Sequence, residues 1–537
     1  MVCPALARSV LAVGLFLAGI AAAPAGAQQI NGSHSHRVLG TVNFLVTCNA
    51  SAQAAFNHGM LLQHSFWYQA AAQAFRDVRQ ADPGCTMSYW GEALTLITRP
   101  NPYLPPVPAN LQQGRALLEE ATRLGARSPR EAAYIEALSF VFSGDDVPGH
   151  RARLVRFRNA MGQLHERFPA DSEAAILYAL LLGVTADPSD KTYADQLRGA
   201  ALLEREWARQ SEHPGVVHYL IHLYDYPGLA SRGVAAADRY GVIAADAPHG
   251  LHMPSHIYTR VGRWESSVQS NVRAAELAVA ADDVPEALHA FDYMVYAYLQ
   301  MAQDEAAQRA IDAAANVPLR THVAPQIAFA LAAMRARYVL ERGAWAEAAS
   351  LRPVETPFAF ADALTYFARA IGLSRAGHPN EAAADIEALR RLHERLRGRD
   401  AYWAEQVDIQ RQAAEGVVAF AAGRRGEGLE ILRAAAEREA RTEKHVVTPG
   451  PLAPARELYA EALLEEGQAA AALTEFAAVQ QTEPRRFRAI AGAARAAEAA
   501  GNREEATRHY ASLLEVAGSG GPTRAELAAA RAYLARN

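Results

Sequence analysis

The same interval, 34 residues, separates His218 from His252 and His222 from His256 (252 − 218 and 256 − 222). It also separates Gly343 from Gly377 and Ala348 from Ala382, and again Gly467 from Gly501, Ala472 from Ala506 and Phe476 from Tyr510. A glycine, an alanine and an aromatic position thus agree on one period. A fixed period of this length marks a supersecondary unit that cannot bury its apolar face alone and must stack on its neighbours. Stacking also removes the size ceiling of a single core, which a compact chain of 537 residues would exceed. Strong helix formers dominate, alanine above all, and β-branched runs are scarce. The chain is therefore expected to be all-α.

The first 27 residues read as a targeting segment. Arg8 precedes an apolar run from Val10 to Ala23, and Ala25-Gly26-Ala27 is a small-x-small cleavage site. The run is too short to span a membrane, and no later stretch approaches the roughly 20 apolar residues required. A periplasmic or secreted protein is expected. The net charge of -5 argues against a nucleic-acid groove. Cys3 leaves with the signal, so the mature chain keeps Cys48 and Cys85. In an oxidising compartment these form one disulfide, or else they remain two buried thiols.

Residues 28–50 are expected to be an extended arm, with His34 and His36 solvated. Helix pairs follow over 51–312, which hold most of the histidines, and over 313–537. Asn101 to Pro108 reads as a proline-rich loop and Thr442 to Pro454 as a second loop around Gly450. A last polar helix from Arg524 is expected to cap the array. The Arg485-Arg486 pair reads as ordinary charge at a helix start.

Gly59, Ala71, Phe75 and Pro83 fall at the small, small, aromatic and proline positions of a tetratricopeptide repeat. On these residues and the period, the chain resembles the tetratricopeptide superfamily from about residue 51 to the end. HYLIHLYDYPG, PHGLHMPSHIYTRVGRW and KHVVTPGPLAPARE resemble segments of exported bacterial tetratricopeptide proteins to which no activity attaches. The resemblance implies a solenoid of helical hairpins in a right-handed superhelix, its concave face lined by first helices. It places His218 and His222 at two groove-facing positions of one repeat, with Asp225 below them. His252 and His256 take the same positions in the next repeat. His289 and Asp292 face the groove one repeat further on. His64 takes a groove position in the first repeat, distant along the solenoid.

Residues four apart on a helix share a face, so each His-x-x-x-His pair offers two ring nitrogens to one point. Packed helices lie about 8–10 Å apart, close enough for pairs on neighbours to meet at one metal or bracket two. His218, His222, His252, His256 and His289 are therefore candidate ligands for a transition metal, zinc, copper or iron. No His-Glu-x-x-His is present, so the usual glutamate base is missing. Asp225 and Asp292 are the candidate catalytic bases or orienting groups, with Glu92 behind them. Pro254, between His252 and His256, is expected to kink that helix. His445 and Glu457 reach the same cavity if the superhelix closes. Two functions remain open: a metal-dependent enzyme or metal-handling protein, or a scaffold taking a peptide, protein or small-molecule ligand in its groove. No phosphate loop, dinucleotide fingerprint or Gly-x-Ser-x-Gly is present.

Overall fold

The structure, a computed structural model, describes residues 38–97, 106–319, 324–518 and 524–536. The targeting segment, His34, His36 and residues 101–105 of the proline-rich loop lie outside them. Among the described residues every regular element is a helix, running from Ala50–His64 to Ala525–Arg536. None is long and apolar enough to cross a membrane.

The hairpins form for the reasons the pattern suggested. Phe75 fills the first joint: a Cβ added at Gly59 would lie 2.7 Å from its ring, and one at Gly91 only 2.5 Å away. Those glycines let Ala50–His64 and Thr86–Thr95 close on a fully buried aromatic. Truncating Phe75 to alanine would cost about 3–5 kcal/mol. Near the other end, Gly492 meets Phe476 in the same way. Gly467 and Gly501, at φ 78° and 72°, take the left-handed turn between helices that a Cβ would strain.

Residues 38–46 run without regular structure ahead of a bend at 47–48, with Leu39 buried and Val42, Phe44 and Val46 buried alternately. Phe44 packs against Phe56, Trp90 and Tyr134. Cys48 and Cys85 are disulfide-bonded, their Cα atoms 5.0 Å apart, which fixes this arm to the second hairpin. The expected division near residue 312 falls in the helix Asp304–Ala315. The following helix, Pro325–Glu341, shares an apolar cluster with Val284–Gln300.

The stack curves until its end meets its middle. Trp264 Nε1 donates to the Arg485 carbonyl at 3.1 Å, and Phe487 N donates to Gln300 Oε1 at 2.9 Å. Trp264, Tyr296, Phe487, Tyr510 and Leu527 share one apolar cluster. Arg486 is fully buried, paired with Glu341 at 2.7 Å and Glu457 at 2.7 Å. This corrects its reading as helix-start charge: closure of the stack puts it in the joint. The loop ahead of Ala455 is drawn inward, with Lys444 bonded to Asp225 at 2.9 Å and Lys191 to Glu443 at 2.6 Å.

Candidate metal centre

Three consecutive modules carry the histidines. Pro214–Tyr224 holds His218 and His222. Its proline sits in the first turn, where a missing N–H costs nothing. In the second module Pro254 splits the helix into Pro248–His252 and Pro254–Arg260, with Met253 between them. The third module, Val284–Gln300, holds His289.

The rings assemble as two triads. His218, His222 and His249 each bring a ligand nitrogen within 4.8 Å of the other two, and His252, His256 and His289 do the same. Each triad takes a His-x-x-x-His pair from one module and its third ring from the next. The kink at Pro254 does not separate its pair: the Nε2 atoms of His252 and His256 lie 3.0 Å apart. Those of His218 and His222 lie 3.1 Å apart. The triads adjoin, with ring centroids 6.2 Å apart for His222 and His256 and 6.0 Å for His249 and His252. His222 is half-buried and the other five rings are buried.

Around the rings stands a layer of acceptors. His218 Nδ1 donates to the His64 carbonyl at 2.6 Å, and His249 Nδ1 to Glu286 at 2.9 Å. His252 Nδ1 donates to Asn271 Oδ1 at 2.6 Å, and His256 Nδ1 to Asp225 at 2.9 Å. Asn271 Nδ2 donates to the Ser267 carbonyl, which turns its oxygen toward His252. Carbonyls and carboxylates only accept, so these partners assign the proton of all four rings to Nδ1. Their Nε2 lone pairs then point inward.

Between His252 and His256 two lone pairs face each other across 3.0 Å, which repels unless a cation lies between them. A proton is disfavoured there. Burial, with the neighbouring His256, holds His252 well below its ordinary value, and burial lowers His256 against the pull of Asp225. His249 Nε2 is buried with no hydrogen-bond partner among the described residues. Six imidazoles in two triads, four of them with acceptors behind the ring, fit a transition-metal donor set.

Asp225 sits behind His256 and also accepts from Arg260 at 2.9 Å and Lys444 at 2.9 Å. Burial alone would raise its pKa, but Lys444, Arg260 and His256 together hold it well below the carboxylate range. It is thus an ionised orienting group and a poor proton acceptor. Asp292 is placed elsewhere. It is fully buried against Arg337, at 3.1 Å, and burial pushes it up to about 6 against that cation. Glu92 is held by Arg76 and Arg79.

His64 is not distant. The entry of the chain folds back, so that its carbonyl caps His218 and its ring meets Tyr219 at 2.9 Å. Its Nε2 lies 3.0 Å from Glu173, whose other oxygen lies 2.9 Å from His213. His445 does reach the cavity, whereas Glu457 pairs with Arg486 instead.

Beside the triads lies a cavity of about 560 Å3. His222, His249, His256 and His289 form part of its wall, and Phe66 stacks on His222 and His249. The rest of its wall includes residues of the C-terminal modules and the 443–447 loop.

The group that sequence reasoning left outside the ligand set is His249. In PHGLHMPSH it stands three residues before His252 and seven before His256, a helical-face spacing that was there to be read. Its assignment to the other triad depends on how the modules stack.

Helical hairpins at a 34-residue period make this a tetratricopeptide-like solenoid. No family model matches the chain, and neither does any curated protein. Among solved structures, it is similar to yeast Tom70 at 12% identity and TM-score 0.28, over 90% of this chain and 96% of that one. It is also similar to human IFIT1, solved as a dimer with m7Gppp-AAAA, at 11% identity and TM-score 0.37, over 89% of this chain and 92% of that one. The Cut9–Hcn1 hetero-tetramer gives 12% identity and TM-score 0.30, over 90% and 96%.

Proposed function

We propose that this chain is an exported metalloprotein that holds two transition-metal ions, one in each histidine triad, and acts as a metal-dependent enzyme on a small molecule admitted to the adjoining cavity. The observation that carries the reading is the pair of inward lone pairs on His252 and His256, 3.0 Å apart, with both Nδ1 protons committed elsewhere. An imidazole-only donor set suits copper, zinc, iron or nickel better than magnesium, calcium or manganese. Such ions, when bound, supply Lewis acidity or redox chemistry at an open coordination position. The chain's own residues do the rest. Asp225, Glu286, Asn271 and the His64 carbonyl hold the ring orientations, and burial keeps His218 and His252 neutral. The Cys48–Cys85 disulfide supports an oxidising compartment, in keeping with the targeting segment.

The test is metal analysis of protein purified without a histidine tag, repeated on His222→Ala and His256→Ala. About two ions per chain are expected in the wild type, and about one in each variant. Equal metal content in all three would sink the proposal. The alternative reading, a scaffold that takes a peptide or protein in its groove, draws on the repeat architecture itself. Against it, the 443–448 loop occupies the inner face beside the triads, through Lys444 on Asp225 and the Thr448 carbonyl on Tyr293.

A further inference from the structure

We infer that the cavity beside the triads is a binding site for a planar aromatic acid, whose ring lies between the imidazole wall and an aromatic wall and whose acid group meets Arg395 and Arg399. The inference deepens the metalloenzyme reading and rests on it for the face that the ligand turns toward the histidines. Its own observations are separate. Phe360 and Trp403 are stacked, with centroids 4.4 Å apart and planes at 12°, and His445 lies 5.1 Å from Trp403. All three line the cavity. Flat π-faces on a concave wall favour a flat, π-bearing guest. The volume of about 560 Å3 lies within the usual range for small-molecule sites and holds a ligand of more than one ring.

The rim carries two arginines without a close acidic partner among the described residues, Arg395 acting only from a longer range on Asp362. Every carboxylate lining the cavity has work to do. Asp225 holds Lys444 and Arg260, and Glu443 accepts from Lys191 and Tyr193. Asp400 caps the helix Ala401–Ala421 through Trp403 N. Arg395 and Arg399 line the same cavity, and among the described residues neither makes an ion pair within 4.0 Å. Two guanidiniums, one from the last turn of the helix Ala383–Leu396 and one from the turn that follows it, at a largely apolar cavity, match a carboxylate or sulfonate, which they can clamp through paired N–H groups.

The experiment uses metal-free full-length protein, so it does not depend on the metal reading. Naphthoate, cyclohexanecarboxylate and naphthalenemethanol are titrated in turn and followed by calorimetry and tryptophan fluorescence. Naphthoate is expected to bind at least about tenfold more tightly than either the non-aromatic acid or the neutral arene. The double variant Arg395→Gln with Arg399→Gln should lose the preference for acid over neutral arene. Trp403→Leu should lose the preference for aromatic over aliphatic acid. Melting temperatures close to wild type would show that both variants are folded. Equal affinity for the three probes, or preferences unchanged in the variants, would overturn the inference. A chain that prefers naphthoate but retains no metal would sink the metalloenzyme reading alone. A chain that retains metal without discriminating the probes would sink this inference alone.

Discussion

Two buried histidine clusters touch in this protein, and their hydrogen bonding differs. In His64–Glu173–His213 every donor aims at an acceptor: one carboxylate takes both Nε2 protons, and Tyr219 lies 2.9 Å from His64 Nδ1. Its donors are all matched, although its three ligand atoms also lie within 4.8 Å of one another and His213 Nδ1, like His249 Nε2, is buried with no hydrogen-bond partner among the described residues. Between His252 and His256 the acceptors lie outside the rings, and the inward nitrogens face each other with nothing to donate. Proximity of histidines is therefore not what separates the two clusters. The position of the protons is, and the acceptors behind the rings fix it.

The largest effect should come from removing inward nitrogens. His256→Ala is expected to lose about half the bound metal, whereas His213→Ala should keep all of it while losing stability. Metal analysis beside a chemical melt reads both, and metal loss in His213→Ala would erase the contrast between the clusters. Next in size, Glu173→Ala leaves two buried imidazoles without their shared acceptor and should cost about 3–5 kcal/mol in urea unfolding, with metal content unchanged. Smaller again, Asn271→Ala frees His252 to adopt the other tautomer. Competition with a chelator should then show metal affinity about 10–100-fold weaker at full stoichiometry.

The smallest effect is a difference in pH dependence of the metal-free protein. Burial lowers the pKa of His218 and His252, so below about 6.5 the unfolded chain takes up protons that the folded chain refuses. Their contribution should fall as pH drops from that point. Glu173 behaves differently: burial opposes ionisation, yet His64 and His213 hold it far below its ordinary 4.5. Its contribution is present above that value and is lost only as pH falls further. Glu173→Gln should accordingly flatten the stability curve below about pH 4.5 and leave the slope under 6.5 intact. Urea midpoints across that range separate the two.

Much of the architecture was legible because a repeat writes the same packing problem many times. Glycine against aromatic recurs at one interval, and the Phe75 and Phe476 joints are as compact as the pattern implied. The two His-x-x-x-His pairs were legible for the same reason, since spacing on one helix needs no knowledge of the fold. Their grouping was not. Sequence reasoning left open whether the two pairs meet at one point or bracket two, and the structure gives each pair its own third ring. His249 joins the module before it, and His289 likewise. Asp292 shares a period position with the histidines, but it lies on Arg337, whose helix is a further module on. His64 and Arg486 were misjudged because both depend on contacts across long separations, 154 residues for His64 with His218 and 190 for Arg486 with Tyr296.

The sequence by itself determined the all-α repeat, the module length and which histidines share a helix face, because these follow from backbone periodicity and from sterics within about one hairpin. Only the tertiary structure decided which module supplies each third imidazole, where every ring proton goes and what lies across the cavity. Those depend on how far successive hairpins rotate and on where the end of the stack meets its middle, and no local spacing carries that sum.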